Sequence, residues 1–177
     1  MTDFLRAALS YQQRGVSVIS IRPRDKKPLV PWEPSQSRRA TEEEINSWWS
    51  NWPDANVGIV AGAISGVVVI DLDTPEAKDK LKELVPSFDF SAVPRSRTGK
   101  GWQLFCRHPG VTIPNRAGVI PGLDVRGDGH DVVAPSSIYP NAETFQSEAG
   151  TRVMYQIFQW RMGERKQRAI FSPRRDL

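Results

Sequence analysis

Two aspartates separated by one leucine, Asp71-Leu72-Asp73, close an apolar run over residues 67–72. On an extended segment, side chains two positions apart project from the same face, so both carboxylates come within reach of one cation. Hard oxygen ligands without a neighbouring His or Cys favour Mg²⁺ or Mn²⁺, ions that keep waters and complete their shells with phosphate oxygens. The pair also has a structural reading, as a cap for a helix starting at Thr74 or a partner for Lys78. Like charges at the end of a buried strand are costly without a counter-cation, which favours the chemical reading. Asp124 is the natural third acid, in the short segment Gly122-Leu123-Asp124-Val125-Arg126-Gly127. Three carboxylates can bridge two ions, one activating a hydroxyl and the other neutralising a triphosphate. The bland alternative for Asp124 is an ion pair with Arg126.

Around these acids lie candidate anion-binding groups. Residues 95–101, Arg95-Ser96-Arg97-Thr98-Gly99-Lys100-Gly101, enter an apolar run at Trp102 and offer Arg97, Lys100 and glycine N–H groups such as that of Gly101 to phosphate. The glycines do not follow the GxxxxGK[ST] order of a Walker loop. Arg126 shares a strand face with Asp124 and can contact a triphosphate or balance the acids. Lys26, Lys27 and Arg95 are candidate contacts to a nucleic-acid backbone. Trp48 and Trp49 sit at helical spacing and read as core rather than as stacking platforms.

The elements needed to position these groups are visible as patterns. Helices are expected over residues 3–14, from Thr41 to Trp52 with a Thr41/Glu44 capping box, and from Thr74 to Pro86 with Pro75 at the first position. Strands are expected at 16–21, 57–61, 67–72, 102–106, 123–126 and 131–134, with residues 62–66 turning the second into the third as a hairpin. The nearly all-apolar run 67–72 belongs at the centre of a sheet, covered on both faces. Asp128 and Asp131 read as exposed turn acids, and His108 as too distant to serve the site.

Composition bounds the class. The 177 residues carry +4 net charge, one cysteine and two histidines, which excludes an internal disulfide and a thiolate zinc centre. No apolar run is long enough for a membrane span, and residues 1–15 lack a signal-peptide pattern, so a cytoplasmic protein with no membrane partner is expected. One domain over 1–147 is expected, followed by a basic, helical extension or linker over 148–177.

The ordered set Lys26-Lys27-Pro28, Trp32, Trp48-Trp49, Asn56-Val57-Gly58-Ile59, Ser65 to Asp73, Gly122 to Gly129 and Val132-Val133-Ala134-Pro135-Ser136-Ser137 resembles the bifunctional DNA primase/polymerase N-terminal family, over roughly residues 5–140. That family belongs to the archaeo-eukaryotic primase superfamily of plasmid, phage and other mobile-element replication proteins. The resemblance implies an α+β primase catalytic core with an RNA-recognition-motif-like mixed sheet packed by helices. It further implies Asp71, Asp73 and Asp124 as catalytic ligands of two Mg²⁺ or Mn²⁺ ions, and single-stranded DNA template and (d)NTPs as substrates. Arg97, Lys100, Gly101, Gln103 and Arg126 would be nucleotide-binding, and a helicase domain or subunit is a possible partner. One position departs from the family pattern, because Gln103 stands where members usually carry a phosphate-binding histidine. A glutamine amide can donate to phosphate but never becomes cationic. Two other readings stay open: a nucleotide- or DNA-binding replication-initiation module with weakened catalysis, and a metal-dependent nuclease or sugar-nucleotide transferase.

Overall fold

The computed structural model describes residues 1–135, 137 and 138. In chain order they form α1 (Asp3–Gln13), β1 (Val18–Ile21), a 3-10 turn (Glu33–Gln36), α2 (Glu42–Asn51), β2 (Asn56–Val60), β3 (Val67–Leu72), α3 (Pro75–Leu84), β4 (Arg95–Arg97), β5 (Trp102–Arg107), β6 (Arg116–Ile120), β7 (Leu123–Arg126) and β8 (Asp131–Val133). None of these helices is long and apolar enough to cross a membrane. The basic extension expected over 148–177, and Ser136 of the motif set, lie outside the described residues.

All three helices start on side-chain caps. Thr2 accepts from the Leu5 N–H and Thr74 from the Ala77 N–H, each at 3.2 Å. At α2 the capping box is complete, with Glu44 N–H donating to Thr41 Oγ1 and Thr41 N–H to Glu44 Oε2, at 3.2 and 2.8 Å. Each such cap satisfies N–H groups that a helix cannot bond internally, a contribution of about 1 kcal/mol. Trp49 is buried as expected, its indole N–H donating to the Ala55 carbonyl at 3.0 Å, whereas Trp48 is half-buried at the edge of the same cluster.

The strands form two sheets, with orders β1-β2-β8 and β4-β5-β3-β7-β6. Every pairing is antiparallel, so the mixed sheet expected from the resemblance is replaced by two antiparallel ones. The reason lies in the connections. β5 turns back from β4 and inserts between β4 and β3, so the chain leaves β3, crosses in α3 and returns beside it with one strand between, a split β-α-β unit. The hairpin expected at 57–72 is also corrected. Gly62 and Val67 exchange backbone hydrogen bonds across a tight turn, but β2 and β3 then diverge into different sheets. Local sequence makes the turn; the later strands β5, β7 and β8 supply the partners.

β3 is central, as its apolar run predicts. One of its faces, through Ile70 and Leu72, packs with Leu104, Cys106 and Leu123 under Ala77 and Leu81 of α3. The other, through Val67 and Val69 with Phe105, joins the largest core cluster, shared with α1, α2 and the small sheet through Ala8, Tyr11, Ile45, Trp49, Val57 and Ile59. Cys106 is buried and burial pushes its thiol up to about 12, so it fills space and carries no nucleophilic role.

Candidate active site

The face of the large sheet that meets the small sheet changes character along its length. Val69 is flanked by Phe105, and one rung further Asp71 is flanked by Gln103 on β5 and Asp124 on β7. Ser96 of β4 stands beyond Gln103 in the same rung. Because side chains alternate along strands, these four polar residues share one face, at the point where the apolar core ends.

Arg126, opposite Val69 on β7, reaches across to the acids. Its Nε donates to Asp71 Oδ2 at 3.0 Å and its Nη2 to Asp124 Oδ2 at 2.6 Å. Asp124 Oδ1 also accepts the Gly118 N–H of the neighbouring strand at 2.7 Å. The Gln103 side chain hydrogen-bonds Asp71, while its own Oε1 is buried with no partner among the described residues. Burial raises the Asp71 carboxyl above its ordinary range, reinforced by the nearby Asp73; the Arg126 and Gln103 hydrogen bonds pull the other way without cancelling it. Asp71 is thus a carboxylate short of positive charge.

Asp73 lies beyond the end of β3, exposed, its N–H donating to the Gly122 carbonyl at 2.8 Å. Among the described residues no three His, Cys, Asp or Glu side chains gather closely enough to hold a metal ion. The expected trio is therefore a pair joined by Arg126, with Asp73 at the rim. The residues nevertheless fit a hard divalent cation in kind. All the donors are oxygens, Asp71 lacks full compensation, and the orphaned Gln103 Oε1 can accept from a metal-bound water. A cation here would take over the charge that Arg126 supplies.

The site opens into a cavity of about 150 Å³ lined by Lys26, Asp71, Gln103, Arg126, His130, Asp131, Val132 and Val133. Lys26 arrives from the loop after β1, and Lys27 next to it is exposed and lines neither this cavity nor the one described below. His130 and Asp131 were not expected here. Burial lowers the His130 imidazole, helped by Arg126, and raises the Asp131 carboxyl. Their signal in the sequence was the Gly127-Asp128-Gly129 turn, which carries the chain from β7 to β8 in the small sheet and leaves the residues just after it beside Arg126. Asp128 is itself no free turn acid: it accepts the Ala63 and Ile113 N–H groups, both at 2.8 Å, and contacts His108. Burial opposes its ionisation, but these bonds outweigh it and hold its carboxyl below the ordinary range.

The basic loop lies at the same end of the sheet but lines a second cavity, of about 390 Å³, with Thr74, Pro75, Lys78, Arg97, Thr98, Gly99, Lys100, Gly101 and Trp102. Gly101 fixes it there, since a Cβ at this position would lie 1.9 Å from the Leu72 carbonyl oxygen. Arg95 is half-buried, donating to the Phe90 carbonyl at 3.0 Å. Lys78 stacks over Phe90 and does not pair with the acids.

A family model described as bifunctional DNA primase/polymerase, N-terminal, matches residues 8–160. None of the curated proteins matches the chain. With the matched region spanning the acid strand, the Gln103 strand and the Asp124 strand alike, the chain belongs to the bifunctional DNA primase/polymerase N-terminal family.

Proposed function

We propose that the chain is the catalytic domain of a template-directed DNA primase/polymerase that transfers nucleotides from (d)NTPs to a 3′-hydroxyl in the replication of a plasmid, phage or other mobile element. Family membership carries the general activity, a nucleotidyltransferase-type DNA primase/polymerase. The observation that supports the site is the Asp71–Arg126–Asp124 bridge on one sheet face, beside a buried Gln103 and open to a polar cavity. The split β-α-β unit supports a core of the RNA-recognition-motif type.

Asp71 and Asp124 would hold the metal, with Asp73 at the rim for a second ion. When bound, Mg²⁺ or Mn²⁺ supplies the charge that acidifies the primer hydroxyl and neutralises the triphosphate and leaving pyrophosphate. Arg126, released from one acid, offers its remaining N–H groups to phosphate oxygens, and Lys26 adds a second cation from across the cavity. Gln103 keeps Asp71 oriented through its amide. Val132 and Val133 give the cavity an apolar wall that limits water around the charged groups. A helicase, fused or separate, would supply single-stranded template.

The test is primer synthesis on single-stranded DNA with labelled dNTPs and Mg²⁺ or Mn²⁺. Asp71→Ala together with Asp73→Ala should abolish incorporation while circular dichroism stays native; unchanged synthesis would overturn the proposal. The second reading, a replication-initiation module that binds without efficient turnover, draws on Gln103, a buried neutral amide beside Asp71. Binding without incorporation, with incorporation gained by Gln103→His, would favour it.

A further inference from the structure

The second cavity lies on the opposite side of the sheet from the acids. Gln103 shares a face with Asp71, so Trp102 and its β4 partner Arg97 face the α3 side, where Trp102 packs beside Leu72 and Leu123. Around this cavity cations are concentrated on two aromatic rings. Phe90 and Trp102 meet edge to face at 5.9 Å. Lys78 Nζ lies 4.1 Å from the Phe90 centroid, and the Arg95 guanidinium 4.9 Å from Phe90 and 5.7 Å from Trp102. The Arg97 guanidinium is 5.7 Å from Trp102, and Lys100 stands exposed on the loop at the mouth. Lys78, Arg97 and Lys100 make no ion pair among the described residues.

Like charges such as Lys78, Arg97 and Lys100 repel one another and destabilise the fold unless something offsets them. The ring faces offset part of this and also restrict the long side chains, which lowers the entropy cost of presenting them to a ligand. Such an arrangement suits a polyanion with spaced charges. A lone triphosphate seated at Asp71 would be on the wrong side of the sheet. Gly101, pressed on the Leu72 carbonyl, brings the loop to the end of β3 beside Asp73.

We propose that this groove binds the phosphodiester backbone of single-stranded nucleic acid, which passes over the end of the large sheet between the acid-lined cavity and the α3 side. A duplex is too stiff to follow that bend, whereas a single strand is flexible. Phosphates lie against Lys78, Arg97, Lys100 and the Thr98 to Gly101 backbone. The ring faces are already taken by cations, so the groove reads charge and spacing rather than base identity. This deepens the proposed reaction, whose single-stranded template the groove would seat, and rests on that reading.

Fluorescence anisotropy of a labelled oligothymidylate, measured with the full chain across a salt series, tests it. The double variant Arg97→Ala/Lys100→Ala removes two exposed side chains and leaves the ring pair and Gly101 in place. Oligonucleotide binding should weaken at least tenfold, and the slope of log K against log salt should become shallower by about 1.4, on roughly 0.7 per single-strand phosphate contact. Binding of dTTP with Mn²⁺ should be unchanged. No oligonucleotide binding by the parent chain, or an unchanged affinity and slope in the variant, would overturn the proposal. So would a parallel loss of dTTP binding, which would make the groove a triphosphate subsite. Asp71→Ala provides the separating arm: it should keep oligonucleotide binding, so a chain that synthesises nothing still reports on the groove.

Discussion

Replacing Arg126 by methionine keeps much of the side chain's volume and removes the charge that joins Asp71 to Asp124. The two carboxylates then face each other across adjacent strands with only Gln103 and the Gly118 N–H as named donors. The size of the loss follows from burial. An exposed ion pair is worth about 0–1 kcal/mol, whereas removing one partner of a buried pair costs about 3–5 kcal/mol. The Asp71, Asp124 and Arg126 side chains are 17%, 22% and 25% exposed, closer to the second limit. A loss of about 2–4 kcal/mol is expected, which for a chain of this size lowers Tm by roughly 4–16 °C. The pH dependence follows from sign. Burial already raises the Asp71 carboxyl above its unfolded value, and losing Arg126 raises it further. A raised carboxyl favours folding when protonated and loses that contribution as pH rises through its folded pKa. The deficit of Arg126→Met should therefore be largest near neutral pH and shrink as pH falls through the carboxylate range. Thermal melts in EDTA at several pH values measure this. A variant that melts with the parent at neutral pH, or whose deficit does not change with pH, refutes the assignment of Arg126 as the internal counter-ion. Mg²⁺ or Mn²⁺ added at neutral pH should restore more Tm to the variant than to the parent.

Gly101→Ala puts a methyl group on the Leu72 carbonyl oxygen, and overpacking of this kind costs typically 1–3 kcal/mol; denaturant unfolding should show it, together with weaker oligonucleotide binding as the basic loop shifts. Glu44 caps α2 and pairs with Arg38, whose hydrogen bond and that from Thr41 hold its carboxyl down to about 2. A depressed carboxyl contributes stability above its unfolded pKa, lost as pH falls through the folded one, so the gap between parent and Glu44→Gln should close between about pH 5 and pH 2; the exposure of the pair keeps that gap small. Gln103→His, judged by dNTP concentration dependence, should tighten triphosphate binding below neutral pH, where an imidazole becomes cationic; an effect independent of pH would argue that Gln103 acts on Asp71 alone.

The acid strand was legible because the two signals that define it are local: an uninterrupted apolar run, and a switch to aspartate at its end. The helices were legible through their caps. The separation of β2 from β3 was not, since the turn at 62–66 is the same whether the strands pair or part, and the partners that draw them apart come later in the chain. β6 escaped notice because its five residues are exposed or half-buried and show no alternation. β4, Arg95-Ser96-Arg97, looked like loop because an edge strand that short needs no apolar face; only Ser96 is buried. The site suffered the same limit. Asp71, Asp124, Gln103 and Arg126 meet on one face, yet Arg97 and Lys100, a few residues before Gln103 in sequence, line the other side of the sheet.

That division has a physical cause that bears on how a replication enzyme can be built on so small a sheet. In a strand, neighbours point to opposite faces, so a continuous run of functional residues cannot converge on one cavity. Gln103 can orient Asp71 only if Trp102 turns away, and Trp102 turned away is free to brace Arg97. Alternation thereby sends Arg97 and Gln103 to opposite sides of one sheet end, with Gly101 packed against the Leu72 carbonyl between them. On the binding proposal, a strand of nucleic acid crossing that end would meet both. On this reading the spacing between Gln103 and Arg97 is fixed by sheet register, not by loop length. Lengthening the 98–101 loop by one residue while keeping the β4 and β5 register should therefore leave dTTP binding with Mn²⁺ intact and weaken oligonucleotide binding, as fluorescence anisotropy with each ligand would show.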